Sequence, residues 1–214
     1  FLPAFEQLIP GLVAAHEANP SNDILIPIAL LRNWDYKTNT NSIAMTLAHY
    51  YGMECLRNGD APADMYYVDK IYYFGKEAPM EERLRLFRNA LNQLRNDFGS
   101  WEMNWGDINR FQRLDGSIQS TFDDDKDSEA VSFASGLWGA LAAYGMRGQH
   151  EVDKIYGTRG NSFVAVVEFG DRVKAKSILN SDSRTLTSST SHPRNCSESY
   201  LFSEQGSVCI LLQL

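Results

Sequence analysis

Cysteine is scarce in this chain and too dispersed to organise it. Cys55, Cys196 and Cys209 are odd in number and widely spaced, giving neither a disulfide framework nor a metal-ligand pattern. The common motifs of catalysis and nucleotide binding are missing too. No G-x-S-x-G elbow, P-loop, G-x-G-x-x-G or C-x-x-C occurs, so no nucleophile elbow, phosphate cradle or thiol-redox pair can be read from spacing. No run approaches the ~18 apolar residues that a membrane-spanning helix needs. No signal peptide is visible, but the sequence opens on Phe1 rather than Met, so that absence carries no information about export. Basic charge is short, with 20 Lys and Arg against 27 Asp and Glu, a net charge of −7 and a pI near 5.1. This argues against a non-specific nucleic-acid binder, because phosphate contacts need clustered cations. No internal repeat is present.

What remains is a chain able to build a core. Hydrophobic residues make up 43% of its 214 positions, enough for one large domain or two small ones. Leu2, Phe5, Leu8, Ile9, Leu12 and Val13 fall near helical spacing, and Pro10 predicts a kink or two short helices there. His16, near the end of this segment, reads as a cap or a solvated side chain rather than a ligand. Residues 24–34 predict a second helix. Ser42 is placed to cap a third, with Ile43, Leu47, Tyr51 and Cys55 at four-residue steps and a stop at Asn58-Gly59. His49 lies on that helix beside Tyr50 with no nucleophile motif, so packing is the favoured reading.

Residues 60–79 hold Tyr66, Tyr67, Tyr72 and Tyr73 among mostly acidic neighbours. They read as packing under a long connection or as the lining for an apolar ligand, not as a base-stacking platform. Residues 79–98 give the clearest helix, with Leu84, Phe87, Leu91, Leu94 and Phe98 as its stripe and Gly99 as its end. Arg83, Arg85, Arg88 and Arg95 read as a solvated, salt-bridged face. Trp101, Trp105 and Phe111 read as core, with the border of a pocket as the alternative, and Gly106 argues against a continuing helix. Asp123, Asp125 and Asp127 match the opening of a calcium loop, but Ser128 replaces the required Gly and Ala134 the bidentate Glu, so no metal is expected. Residues 135–148 predict a loop or short helix. His150-Glu151 is not a zincin pair.

The most organised stretch is 156–180. Phe163 to Phe169 is apolar except at Glu168, Gly170-Asp171 is a hairpin signal, and Val173 to Leu179 alternates. A strand apolar on both faces predicts an inner strand covered on both sides. From Ser181 the composition changes to Ser and Thr, which predicts poor order for residues 181–199. A genuine flexible tail and a coding-frame error both account for that change, and both stay open.

The segment RGNSFVAVVEFGDRVKAKSIL resembles the strand pair near the end of the β subunit in the penicillin amidase family of N-terminal-nucleophile acylases. ALLRNWDYKTNTNSIAMTLAHYYG, SWEMNWGDINRFQRL and IYGTRGNSF resemble further segments of that subunit, in the same order, over roughly residues 1–180. The resemblance implies an α+β chain, helices first and then an antiparallel strand pair of the central sheet of an αββα fold. Three regions are expected: mainly helical over 1–120, loop plus hairpin over 121–180, and an atypical tail over 181–214. It also implies amide hydrolysis by an N-terminal nucleophile whose own α-amine is the base. Phe1 cannot fill that role, so no catalytic residue, cofactor or metal ligand is carried over. The expected partners are the rest of the acylase chain, meaning the α subunit and the N-terminal part of the β subunit, and in the parent enzyme an N-acyl small-molecule substrate. The resemblance implies a periplasmic or secreted location. Two functions follow: a C-terminal acylase fragment, inactive alone, or an independent non-catalytic binding or scaffold domain.

Overall fold

Helices lead the chain and strands follow. The computed structural model describes residues 1–112, 121–140, 144–147, 152–160, 163–169, 174–179 and 209–213. The helices are α1 (Pro3–Ala18), α2 (Leu25–Arg32), α3 (Ile43–Asn58), α4 (Tyr67–Lys76), α5 (Met80–Phe98) and the single turn α6 (Trp105–Ile108). Then come β1 (Asn109–Phe111), β2 (Glu129–Ala130), a 3-10 turn at Gly136–Trp138, β3 (Tyr144–Arg147), β4 (Ile155–Gly160), β5 (Phe163–Glu168), β6 (Lys174–Leu179) and β7 (Cys209–Gln213). The class is α+β.

The helices form where apolar periodicity and end signals agree. Ser42 Oγ accepts from the Met45 N–H at 3.0 Å and opens α3. Gly99, at φ 77°, closes α5 in the left-handed conformation that favours glycine. α1 is one helix through Pro10, so of the two outcomes expected from its proline the pair of short helices is not formed. Pro10 is exposed while Leu8, Ile9 and Leu12 are buried, so water can serve the carbonyl that proline leaves without a donor, and packing holds the helix together. α4 replaces the long connection expected over 60–79. Ile71, Phe74 and Gly75 are buried and Tyr73 packs against the core, as the packing reading expects, while Tyr66, Tyr67 and Tyr72 are exposed.

α1, α3, α4 and α5 share one core. Leu8, Leu12, Tyr51, Phe74, Phe87 and Leu91 belong to it, and the Tyr51 and Phe87 rings meet edge-on at 5.7 Å. α1 and α4 cross at glycines: a Cβ on Gly11 would lie 2.1 Å from the Gly75 carbonyl oxygen, and one on Gly75 would lie 2.4 Å from the Gln7 oxygen. Arg83, expected on the solvated face of α5, is buried, and its Nη1 donates to the Gly11 oxygen at 3.2 Å. Arg85 and Arg88 behave as expected, pairing with Glu82 and Asp23, while Arg95 is exposed and donates to the Asn92 side chain at 3.1 Å.

The strands make two sheets. The first is mixed, in the order β2-β1-β4-β3, with β1 parallel to β4 and the other pairs antiparallel. The second is antiparallel, in the order β6-β5-β7. β5 and β6 pair from Phe163 opposite Leu179 to Glu168 opposite Lys174, as the hairpin pattern requires. β5 is inner in this sheet because Val164 to Glu168 also pair with Gln213 to Cys209. The hairpin turn at Gly170-Asp171, His150-Glu151 and the tail over 181–199 lie outside the described residues. Residues 135–148 hold the expected short helix, as a 3-10 turn, and in addition strand β3, which was not expected.

The glycine crossing gives a stability test. Gly11→Ala drives a methyl into backbone, which has no flexible side chain to yield, and is expected to cost about 3 kcal/mol or more. Gly99→Ala meets nothing within 4 Å and carries only the left-handed backbone strain, about 1 kcal/mol. Urea midpoints measure both, and equal losses would show that α1 and α4 do not meet at these glycines.

Candidate functional site

A cavity of about 450 Å³ opens between the C-terminal half of α3, the end of α5, the 3-10 turn and the chain leading into β4. Such a volume is in the range of small-molecule sites. Its polar lining includes His49, Tyr50, Arg57, Gln93, Asp97, Ser135 and Asp153, and its apolar lining Met53, Leu137, Trp138, Val152 and Ile155.

Trp138 forms the joint between these parts. Ser135 accepts the Leu137 N–H at 3.2 Å and so holds the 3-10 turn, which ends at Gly139 with φ 80°. The turn drives the Trp138 ring against α1 and α3. Its centroid is 4.6 Å from Phe5 and 5.7 Å from His49, and a Cβ on Gly52 would lie 2.6 Å from the ring. That contact explains a glycine in the middle of α3, where helix propensity disfavours it. The indole N–H donates to His49 Nδ1 at 3.1 Å. Nδ1 is therefore the acceptor, and the proton of the neutral imidazole is on Nε2. Burial, and then the Arg57 charge, hold the His49 pKa down to about 3. Burial raises the Tyr50 phenol well above its ordinary value, and the Asp97 and Asp153 charges add to it. Burial and the neighbouring Asp153 also raise the Asp97 carboxyl.

Among the described residues no nucleophile and base are assembled. His16, Ser21 and Asp23 have the composition of a hydrolytic triad but not its geometry. His16 Nε2 lies 3.0 Å from the Ser21 carbonyl oxygen and 3.2 Å from its N–H, so it holds backbone. The Ser21 hydroxyl donates to Asp23 Oδ1 and accepts from Arg88. His16 is buried in the last turn of α1, where its ring holds the backbone beyond the helix end, which agrees with the cap reading and corrects the solvated one. Cys55 is buried and its thiol is pushed far up by that burial, the reverse of an activated cysteine.

The acidic loop is internally bonded. Gln112 accepts the Asp123 N–H at 3.0 Å and donates to the Asp123 oxygen at 2.6 Å. The Tyr156 hydroxyl donates to Asp124 Oδ1 at 2.7 Å, and the Asp153 N–H to Asp124 Oδ2 at 2.8 Å. Phe122 stacks on the Tyr156 ring at 4.8 Å. Among the described residues no group of His, Cys, Asp or Glu is arranged to hold a metal. Trp105 is fully buried beside His49, with centroids 4.9 Å apart, and Trp101 is packed against the core. Neither they nor Phe111 line the cavity. The residues that do line it stand on four separate stretches, and His49 and Trp138 are 89 positions apart, so no local pattern announces them.

The His49 pKa sets a pH dependence. Unfolded His titrates near 6.5 and the buried ring near 3, so the unfolded chain binds the extra proton between those values. Stability is fully present above pH 6.5 and falls as the pH drops towards 3, by up to about 1.4 kcal/mol per pH unit. His49→Phe is expected to lower the midpoint at pH 7 by about 1–3 kcal/mol, because the Trp138 N–H loses its acceptor, but to flatten the decline between pH 6.5 and 4. Parallel thermal-midpoint curves for the two proteins would contradict this.

No curated protein matches the chain in sequence. A family model described as penicillin amidase matches residues 1–195, extending past Ser181 into the Ser/Thr-rich segment. Among the described residues no helix is long and apolar enough to cross a membrane. The match takes in α1 to β6, which is most of the chain, and on that ground the chain belongs to the penicillin amidase family.

Proposed function

We propose that this chain is the C-terminal part of the β subunit of an amide-hydrolysing acylase, with the reacting groups supplied by the rest of the parent protein. The observation that carries this reading is the family match over residues 1–195. The order of the resembling segments supports it, as does the lack of an assembled nucleophile and base among the described residues. Acyl-homoserine lactones or aliphatic acyl amides are the substrates proposed, with β-lactams next, and the location proposed is periplasmic or secreted.

In such an enzyme the hydroxyl of the N-terminal residue attacks the amide carbon. The α-amine takes its proton and later passes it to the leaving amine as the C–N bond breaks. A backbone N–H and a side-chain amide stabilise the oxyanion. Water then hydrolyses the acyl ester and regenerates the hydroxyl. No residue of this chain is assigned to these steps. Its part is to supply helical core and strands to the αββα framework on which the catalytic end is held.

The reading is tested with purified chain and with the longer product of the coding DNA upstream of Phe1. The chain alone is expected to leave acyl-homoserine lactones and penicillins intact, and the longer product to hydrolyse one of them. Turnover by the chain alone that survives removal of contaminants would overturn the assignment. A start codon just before Phe1 would favour an independent binding or scaffold domain, a reading that the cavity beside Trp138 also accommodates.

A further inference from the structure

The ion pairs of this surface include Arg32 with Glu17, Lys37 with Asp35, Arg85 with Glu82 and Arg88 with Asp23. The charges that line the cavity, Arg57, Asp97 and Asp153, form no ion pair among the described residues. The two carboxylates are close enough for Asp153 to disfavour ionisation of Asp97, a repulsion that a cation between them would relieve. Two neutral polar groups also lack protein partners among the described residues. One is the Nε2–H of His49, whose other nitrogen is committed to Trp138, and the other is the Tyr50 hydroxyl. Met53 and Leu137 add apolar surface to the same lining.

We propose that this cavity binds a small zwitterion with an apolar body, such as an α-amino acid with an aliphatic side chain. Its ammonium lies towards Asp97 and Asp153, its carboxylate towards Arg57 and the His49 Nε2–H, and its side chain against Met53 and Leu137. The Trp138–His49 bond gives this site its specificity for an acceptor. It fixes the proton on Nε2, so the imidazole offers a donor and does not compete for one. A simple anion would meet two carboxylates, and a simple cation would meet Arg57. Only a ligand carrying both charges answers the whole lining. This inference concerns binding alone and does not depend on the acylase reading.

The test is calorimetric titration of the full chain with L-leucine, N-acetyl-L-leucine, which lacks the cation, and L-leucinol, which lacks the carboxylate. Leucine is expected to bind saturably and each analogue about tenfold more weakly, the size of one charge-assisted hydrogen bond. Asp153→Asn and Arg57→Gln alter exposed side chains, and circular dichroism checks that both variants fold. Asp153→Asn is expected to weaken leucine about tenfold and leave N-acetyl-leucine unchanged. Arg57→Gln is expected to weaken leucine and leave leucinol unchanged. Absence of saturable leucine binding by the folded chain overturns the proposal. So does binding of either analogue as tight as leucine, or leucine binding indifferent to both substitutions.

Discussion

The seating of Trp138 is the contact on which the rest of the structure depends. One indole, carried on a 3-10 turn, is fully buried against Phe5 of α1 and Gly52 of α3 and bonded to His49. Burying a ring of roughly 200 Å² at about 25 cal/mol per Å² contributes on the order of 5 kcal/mol. That is comparable with the whole net stability of a domain. His49 is held on its other side by Trp105, whose own indole N–H donates to the Phe133 oxygen at 3.3 Å. The Asn109 side-chain amide, at the head of β1, donates to the Val131 and Phe133 oxygens at 2.8 and 2.9 Å. The helical layer and the first sheet are thus fastened around one imidazole, with hydrogen bonds specifying what burial stabilises.

The same joint shapes the cavity. Because His49 spends Nδ1 on Trp138, its remaining polarity is a neutral donor, and because the 3-10 turn reaches α3, Leu137 and Trp138 close one wall over Met53 and Tyr50. The charged lining comes from elements that the joint sets opposite one another: Arg57 at the end of α3, Asp97 at the end of α5 and Asp153 before β4. Asp153 is placed in turn by the acidic loop, since its backbone N–H bonds to Asp124 and the neighbouring Lys154 Nζ donates to the Asp124 oxygen at 3.0 Å. A loop that resembles the start of a calcium site by composition therefore acts as a bracket for the cavity wall.

Local signals made part of this legible in the sequence. α3 and α5 were readable because their apolar spacing, the Ser42 cap and the Gly99 stop all agree, and the β5–β6 pair because period-two alternation flanks a turn. α1 was read as kinked or split because Pro10 speaks only for its own carbonyl partner, while the burial that holds the helix is tertiary. α4 was missed because its fully buried stripe is short, Ile71, Phe74 and Gly75 with Tyr73 half-buried beside them, and its exposed tyrosines dilute the periodicity. Arg83 sits among arginines that do face water, and only the passage of α1 over it, with the Gly11 oxygen in reach, makes it internal. The cavity was illegible for a stronger reason: its lining is assembled from stretches that meet only through tertiary packing, and Trp138 lies in a small-residue segment with no periodicity. The family resemblance was legible over residues 1–180, and the family match reaches further, to 195.

A double-mutant cycle on Trp138 and His49 tests the joint most directly. Trp138→Phe, His49→Phe and the double variant are unfolded in urea at pH 7, where the imidazole is neutral. A hydrogen bond across a buried interface predicts a coupling of about 1 kcal/mol or more, with the double variant losing less than the sum of the two single losses. Strict additivity of the two losses would contradict the account, because the indole and the imidazole would then contribute to the core as unrelated side chains.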